Sequence, residues 1–226
     1  MKIAVLGTGM VGQAIAGKLA ELGHTVTIGT RDVQNTLAND QPNFYGNPPF
    51  RVWQEQHPQV QLATFAEAAA QGEWIVNATN GEGTLAALHA AGADNLAGKV
   101  LIDIANPLDF SHGMPPTLSV CNTDSLAEQI QRTFPAAKVV KTLNTMNANI
   151  MVNPNSLAGG EHTVFVSGDD SEAKDHVCDL LRSFGWRDII DLGDIRTARG
   201  PEMLLPIWLS LMNALQSPLI SLRVVR

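Results

Sequence analysis

The run Gly7-Thr8-Gly9-Met10-Val11-Gly12 constrains this chain more than any other stretch. Ahead of it, Lys2-Ile3-Ala4-Val5-Leu6 is a short apolar run of the kind that forms a buried parallel strand. Behind it, Val11, Ile15, Leu19 and Leu22 recur at helical spacing. Gly23-His24 then stops the helix, and Thr25-Val26-Thr27-Ile28 reads as a second strand. Strand, glycine turn, helix and strand in that order make the unit that binds dinucleotides. In this unit Gly7 allows the tight turn, Gly9 lets a pyrophosphate approach the backbone, and Gly12 lets helix and strand pack closely. The helix N-terminus offers free N–H groups and a positive dipole end to the phosphates. Gly7, Thr8, Gly9, Met10, Val11 and Gly12 are therefore the first candidate cofactor contacts.

The end of the second strand decides which dinucleotide fits. A cofactor without a 2′-phosphate needs a carboxylate there for its ribose hydroxyls. This chain reads Ile28-Gly29-Thr30-Arg31-Asp32. The Thr30 hydroxyl and the donor fork of Arg31 suit a phosphate, which selects NADP(H). Asp32 comes one or two positions late and equally suits the N-cap of a helix starting at Val33.

The rest of the chain continues the alternation. Strands are expected at 60–63, 74–79, 99–104, 137–143, 163–167 and 188–192. Helices are expected at 84–91, 125–133 and 171–184, with a short one near 51–56. Thr64 and Glu67 have capping-box spacing before an alanine-rich helix. Thr123 or Asp124 is expected to cap the helix at 125–133, and residues 108–117 show no regular pattern. The segment 34–59 is long and punctuated; its Phe44, Tyr45, Phe50 and Trp53 either cover a planar ligand or anchor the segment to the surface. The fold class is α/β, a Rossmann-type doubly wound parallel sheet with a small C-terminal α/β cap. The expected division is a dinucleotide-binding domain over 1–142 and a cap over 143–226 packed on it.

In such sheets ligands lie beyond the carboxyl ends of the strands. That places Thr79 and Asn80 beside the dinucleotide, with a turn role for Asn80-Gly81 as the competing explanation. Asn106-Pro107 falls at the same edge, to hold ribose or the nicotinamide carboxamide, or simply to start a turn. Asn144, Thr145 and Met146 are delivered to the mouth of the cleft.

A net charge of −7 without any Lys/Arg cluster excludes a nucleic-acid surface. Cys121 and Cys178 have no metal-ligand spacing, so no metal is expected, and they read as buried thiols of a reducing compartment. With no signal-peptide pattern, the expected location is cytoplasmic. Residues 203–222 carry no charge, but Pro206, Asn213, Gln216 and Pro218 interrupt them. They read as a terminal helix or subunit interface rather than a membrane insertion, and a homodimer through this apolar C-terminal region is expected.

Residues 2–12, the Gly-Thr-Arg-Asp at 29–32 and Val139-Val140-Lys141-Thr142-Leu143-Asn144-Thr145 together resemble one family. Val166-Ser167-Gly168-Asp169-Asp170, Gly200-Pro201-Glu202-Met203 and Leu205-Pro206 extend the likeness over nearly the whole chain. The family is that of the NADP-dependent oxidoreductases that reduce a deazaflavin coenzyme. The same parts are similar to the oxidoreductase domain of the six-transmembrane metalloreductases, which carry NADPH electrons onto flavin. The resemblance implies a cleft for NADP(H) and a planar small-molecule acceptor, a deazaflavin or flavin. It implies pyrophosphate on Thr8 to Gly12 and the 2′-phosphate on Thr30 and Arg31. Asn144 would lie near the nicotinamide, with Thr145 and Met146 towards the acceptor. The 34–59 segment is longer than the family's usual connection.

Hydride transfer between two rings demands orientation and exclusion of water more than side-chain chemistry, so no catalytic side chain is assigned. An NADP-dependent imine or carbonyl reductase would want a proton donor, for which His112, Lys141 and Asp109 are available. A non-catalytic NADP-binding sensor would need the first thirty-two residues alone.

Overall fold

The computed structural model describes residues 1–42 and 46–226. The first half alternates strand and helix: β1 (Lys2–Leu6), α1 (Met10–Glu21), β2 (Thr25–Thr30), α2 (Val33–Ala38), α3 (Phe50–Gln56), β3 (Gln61–Thr64), α4 (Phe65–Gln71) and β4 (Trp74–Asn77). Next come α5 (Thr84–Ala91), α6 (Ala93–Leu96), β5 (Val100–Asp103), β6 (Leu108–Asp109), β7 (Thr117–Leu118), α7 (Leu126–Thr133) and β8 (Lys138–Thr142). The chain continues through α8 (Ala148–Val152), β9 (Thr163–Ser167), α9 (Ser171–Phe184), β10 (Asp188–Asp191), α10 (Arg199–Met203) and α11 (Leu205–Leu215).

Eight strands share one sheet in the order β10-β9-β8-β5-β4-β1-β2-β3. From β3 to β8 neighbouring strands are parallel, and the order reverses between β1 and β4. This is the doubly wound arrangement the sequence pattern predicts, and in sheets of this kind ligands bind at the switch point.

The central strands are largely apolar because each feeds two cores. Ile3 and Val5 of β1 pack on one face with Ile15 and Leu19 of α1 and Val177 and Leu181 of α9. Ala4 and Leu6 pack on the other with Phe65, Ala68, Leu88 and Ile130. Period-two alternation with both faces covered leaves no polar side to a central strand. Local signals set the helix ends. Asp32 caps α2 by accepting from the Asn35 N–H at 2.9 Å. Thr64 and Glu67 close the capping box of α4.

Four local expectations need correction. β9 runs antiparallel to β8, because the connection from β8 returns at the same end of the sheet instead of crossing a face. Residues 108–109 and 117–118 pair as a small antiparallel ribbon, too short to show periodicity in sequence. Ser125, rather than Thr123 or Asp124, caps α7 by accepting from Glu128 N–H. Asp124 is instead gripped by both terminal nitrogens of Arg132, whose hydrogen bonds lower its pKa to about 2. Finally, Cys121 is exposed and Cys178 half-buried, both as free thiols.

The segment after α2 is anchored by α3. Trp53 stacks on His57 with ring centroids 4.2 Å apart, and both pack over Gly17 of α1. Phe50 and Trp53 thus serve as anchors, whereas Phe44 and Tyr45 lie outside the described residues. Of α11 only Leu205 is buried, while Ile207 and Leu215 are exposed. Among the described residues, no helix is long and apolar enough to cross a membrane.

Candidate active site

The glycine turn has the geometry its sequence implies. Gly7 adopts φ +121°, and its N–H donates to the Gly29 carbonyl at 2.9 Å, joining the turn to the end of β2. A Cβ on Gly7 would lie 2.6 Å from the Ala78 carbonyl oxygen, and one on Gly12 would collide with the Gly7 carbonyl. Gly9 differs: a Cβ there meets nothing within 4 Å, so its α-carbon faces open space. Gly9 is also the N-cap of α1, which has no side-chain cap and no acidic residue in its first turn. An uncapped helix start behind an open glycine fits a pyrophosphate, and Met10, Val11 and Gly12 supply its first N–H groups.

Thr30 and Arg31 sit beside this turn in different states. Thr36 Oγ donates to the Asp32 carbonyl, so its single proton is used, and Thr30 must donate to Thr36 at 2.7 Å. Thr30 is therefore a buried brace. Arg31 is exposed and, among the described residues, has neither an ion-pair nor a hydrogen-bond partner.

Under the strand ends lies a network with a lysine at its centre. Lys141 of β8 has no exposed side-chain surface and pairs with Asp103 and Glu202, each at 2.8 Å. Burial alone would lower its pKa, but the two carboxylates outweigh that and raise it. Asp103 also accepts from Asn77 Nδ2 at 2.7 Å, and Asn77 in turn accepts from the Thr79 hydroxyl at 2.7 Å. Glu202 accepts the Leu126 and Ala127 N–H groups, a carboxylate on the positive end of α7. Arg199 grips Glu128 of the same helix through two nitrogens. Among the described residues every fully buried polar side-chain atom has a partner.

Asn106 and Asn144 meet above this network. Asn144 Nδ2 donates to Asn106 Oδ1 at 2.9 Å and to the Pro201 carbonyl at 3.0 Å. Asn106 Nδ2 donates to the Asn144 backbone carbonyl at 3.0 Å. Gly81 abuts the Asn106 carbonyl so closely that no Cβ fits between them. Leu143, just before Asn144, has φ +61°, a conformation that bulky side chains rarely adopt. Asn80 Oδ1 accepts the Gly83 N–H, the turn role weighed for it, and Pro107 is buried beside Asn106. Thr145 and Met146 are also buried, so only a few of their atoms reach the surface.

The three possible proton donors do not converge. Lys141 is locked, His112 is exposed, and Asp109 accepts from the Ser111 N–H on the β6–β7 ribbon. Sequence reading missed Asn77, Asp103 and Glu202. Only Asp103 carried a signal, as a charge inside the apolar run 100–104, where it is stable only when paired. A surface cleft of about 440 Å³ lined by Gln131, Lys138, Asp169 and Asp170 opens at the start of β8, away from the glycine turn.

Sheet order and glycine turn together define a Rossmann-type dinucleotide-binding fold. The family described as NADP oxidoreductase, coenzyme F420-dependent, matches residues 2–107. A crystal structure described as an F420-dependent NADP-reductase of Arthrobacter sp. FB24 is 63% identical, covers 100% of both chains and superposes with a TM-score of 0.97. The chain therefore belongs to the coenzyme F420-dependent NADP oxidoreductase family. The F420-dependent NADP reductase of Methanothermobacter marburgensis is 27% identical over 215 residues, 93% of this chain and 92% of that one. Metalloreductase STEAP3 of Rattus norvegicus is 27% identical over 212 residues, 92% of this chain; the match spans 38% of that longer protein.

Proposed function

We propose that this NADP-dependent oxidoreductase transfers hydride between NADP(H) and a deazaflavin of the F420 type. The open face of Gly9 over the uncapped start of α1 carries the reading, since it is a backbone cradle with nothing of its own to fill it. In this assignment residues 1–142 hold the dinucleotide and 143–226 cap it. Thr8 to Gly12 receive the pyrophosphate, Arg31 receives the 2′-phosphate, and Thr79, Asn106 and Asn144 border the nicotinamide. Thr145 and Met146 border the acceptor through the few atoms that reach the surface.

NADPH supplies the hydride. The protein's part is to hold two flat rings together in a site that excludes water. An imine or carbonyl reductase would need a proton donor at the strand ends, and the only lysine there is clamped between two carboxylates.

Stopped-flow absorbance tests the reading. NADPH is expected to be oxidised by an F420-type deazaflavin faster than by FMN. Gly9→Ala should fold with an unchanged melting temperature yet bind NADPH at least about tenfold more weakly, because its methyl enters the phosphate path. Wild-type protein that oxidises NADPH with neither ring would rule the function out.

We also propose a homodimer through the apolar face bearing Ile207, Leu215 and Leu219, three exposed large side chains within one short region. Light scattering at micromolar concentration should give twice the chain mass, and Ile207→Glu should halve it. A monomeric wild type would refute this. Two free thiols support a reducing, cytoplasmic setting.

A further inference from the structure

The Asn106–Asn144 contact has a fixed polarity. A carbonyl oxygen only accepts, so the Asn144 atom facing the Pro201 carbonyl is its nitrogen. By the same logic the Asn106 atom facing the Asn144 backbone carbonyl is its nitrogen. Asn106 Oδ1 is then left to accept from Asn144, as its 2.9 Å distance shows. Neither amide can flip without placing oxygen against oxygen. The Pro201 carbonyl is held in turn, because the next residue, Glu202, is bonded to Lys141 and to two N–H groups of α7.

One consequence is an unspent acceptor. Asn144 is only 2% exposed, both its N–H bonds are used, and its Oδ1 has no partner among the described residues. Since no fully buried polar side-chain atom lacks a partner, Oδ1 is the atom that reaches the surface. Asn106 keeps a second N–H beyond the one given to Asn144. Together the two side chains offer one acceptor and one donor at the carboxyl edge of β5 and β8.

We propose that Asn106 and Asn144 form an amide-reading pair: Asn144 Oδ1 accepts from, and Asn106 Nδ2 donates to, a ligand edge carrying an N–H beside a carbonyl. The proposal rests on the function argued above and names a specificity determinant within it. Two ligands of that function carry such an edge: the carboxamide of the nicotinamide and the pyrimidinedione of a deazaflavin. A near-dry acceptor left unpaired is costly, so a ligand lacking the N–H should be disfavoured more strongly than one hydrogen bond in water would suggest.

Equilibrium binding with matched ligand pairs tests it. The first pair is NADPH and its 3-acetylpyridine analogue, where a methyl replaces the amide nitrogen. The second is a deazaflavin and its N3-methyl derivative. Wild-type protein should prefer the N–H member of at least one pair by about tenfold. In Asn144→Ala that preference should collapse to within about twofold, with affinity for 2′-phospho-ADP-ribose, which lacks the nicotinamide, unchanged. Collapse in the first pair assigns the site to the nicotinamide, and collapse in the second assigns it to the deazaflavin. The wild-type comparisons need no variant, so they stand even where Asn144→Ala does not fold. Protein that binds 2′-phospho-ADP-ribose but discriminates in neither pair overturns the amide-reading pair alone. Discrimination that survives Asn144→Ala also overturns it. Protein that binds neither NADPH nor that fragment overturns the function as well.

Discussion

Arg31→Ala is expected to weaken NADPH binding about 10- to 100-fold and to leave NADH within about twofold. The guanidinium stands two residues beyond Gly29, whose carbonyl is bonded to the first glycine of the turn. It is exposed and, among the described residues, has no carboxylate to satisfy it. A 2′-phosphate can therefore take its donors without breaking an existing bond, and charge-assisted contacts of this kind are worth about 1.5–3 kcal/mol. Thr30 contributes little to the difference, because its proton is committed to Thr36. Arg31→Lys should recover part of the affinity, as a point charge without the fork. Fluorescence titration of the wild type and both variants at fixed ionic strength measures all six constants. Equal weakening of NADPH and NADH would remove the 2′-phosphate from Arg31.

Lys141→Met should be the most destabilising single change discussed, at about 3–5 kcal/mol, read from the urea midpoint. It leaves Asp103 and Glu202 facing each other in a dry interior with one cation fewer. The size comes from the stranded carboxylates, not from any intrinsic strength of the ion pairs. Lys141→Met combined with Asp103→Asn and Glu202→Gln should therefore regain much of the loss, since an interior emptied of charge has nothing left uncompensated. A single-variant loss under about 1 kcal/mol would show that solvent reaches the triad.

The nucleotide half was legible because its signals are local. The turn at 7–12 sits between two short apolar runs, and the strand order follows from right-handed crossovers once the strands are placed. The exposed place of Arg31 just after β2 was legible for the same reason, being read by its distance from the turn. Asp103, Lys141 and Glu202 were not legible as a unit, because they come from β5, β8 and α10 and meet only through tertiary packing. Lys141 even suggested a proton donor until its two partners were visible. The reversal at β9 was equally hidden: a strand's periodicity carries no sign of its direction. Thr30 shows the limit from the other side. Its place at the end of β2 was legible, but not that its hydroxyl is occupied by a neighbour four residues beyond Asp32.

Glu202 also bears on how the chain is made. During synthesis β5 and β8 leave the ribosome well before α10 does. Until β9 emerges, β8 presents a bare edge, and until α10 follows it the Leu126 and Ala127 N–H groups lack the carboxylate that receives them. The network beneath the ends of β5 and β8 is thus finished from a late-emerging part of the polypeptide. A nascent chain can set its glycine turn early, but the carboxyl ends of β5 and β8 mature only when residue 202 has emerged.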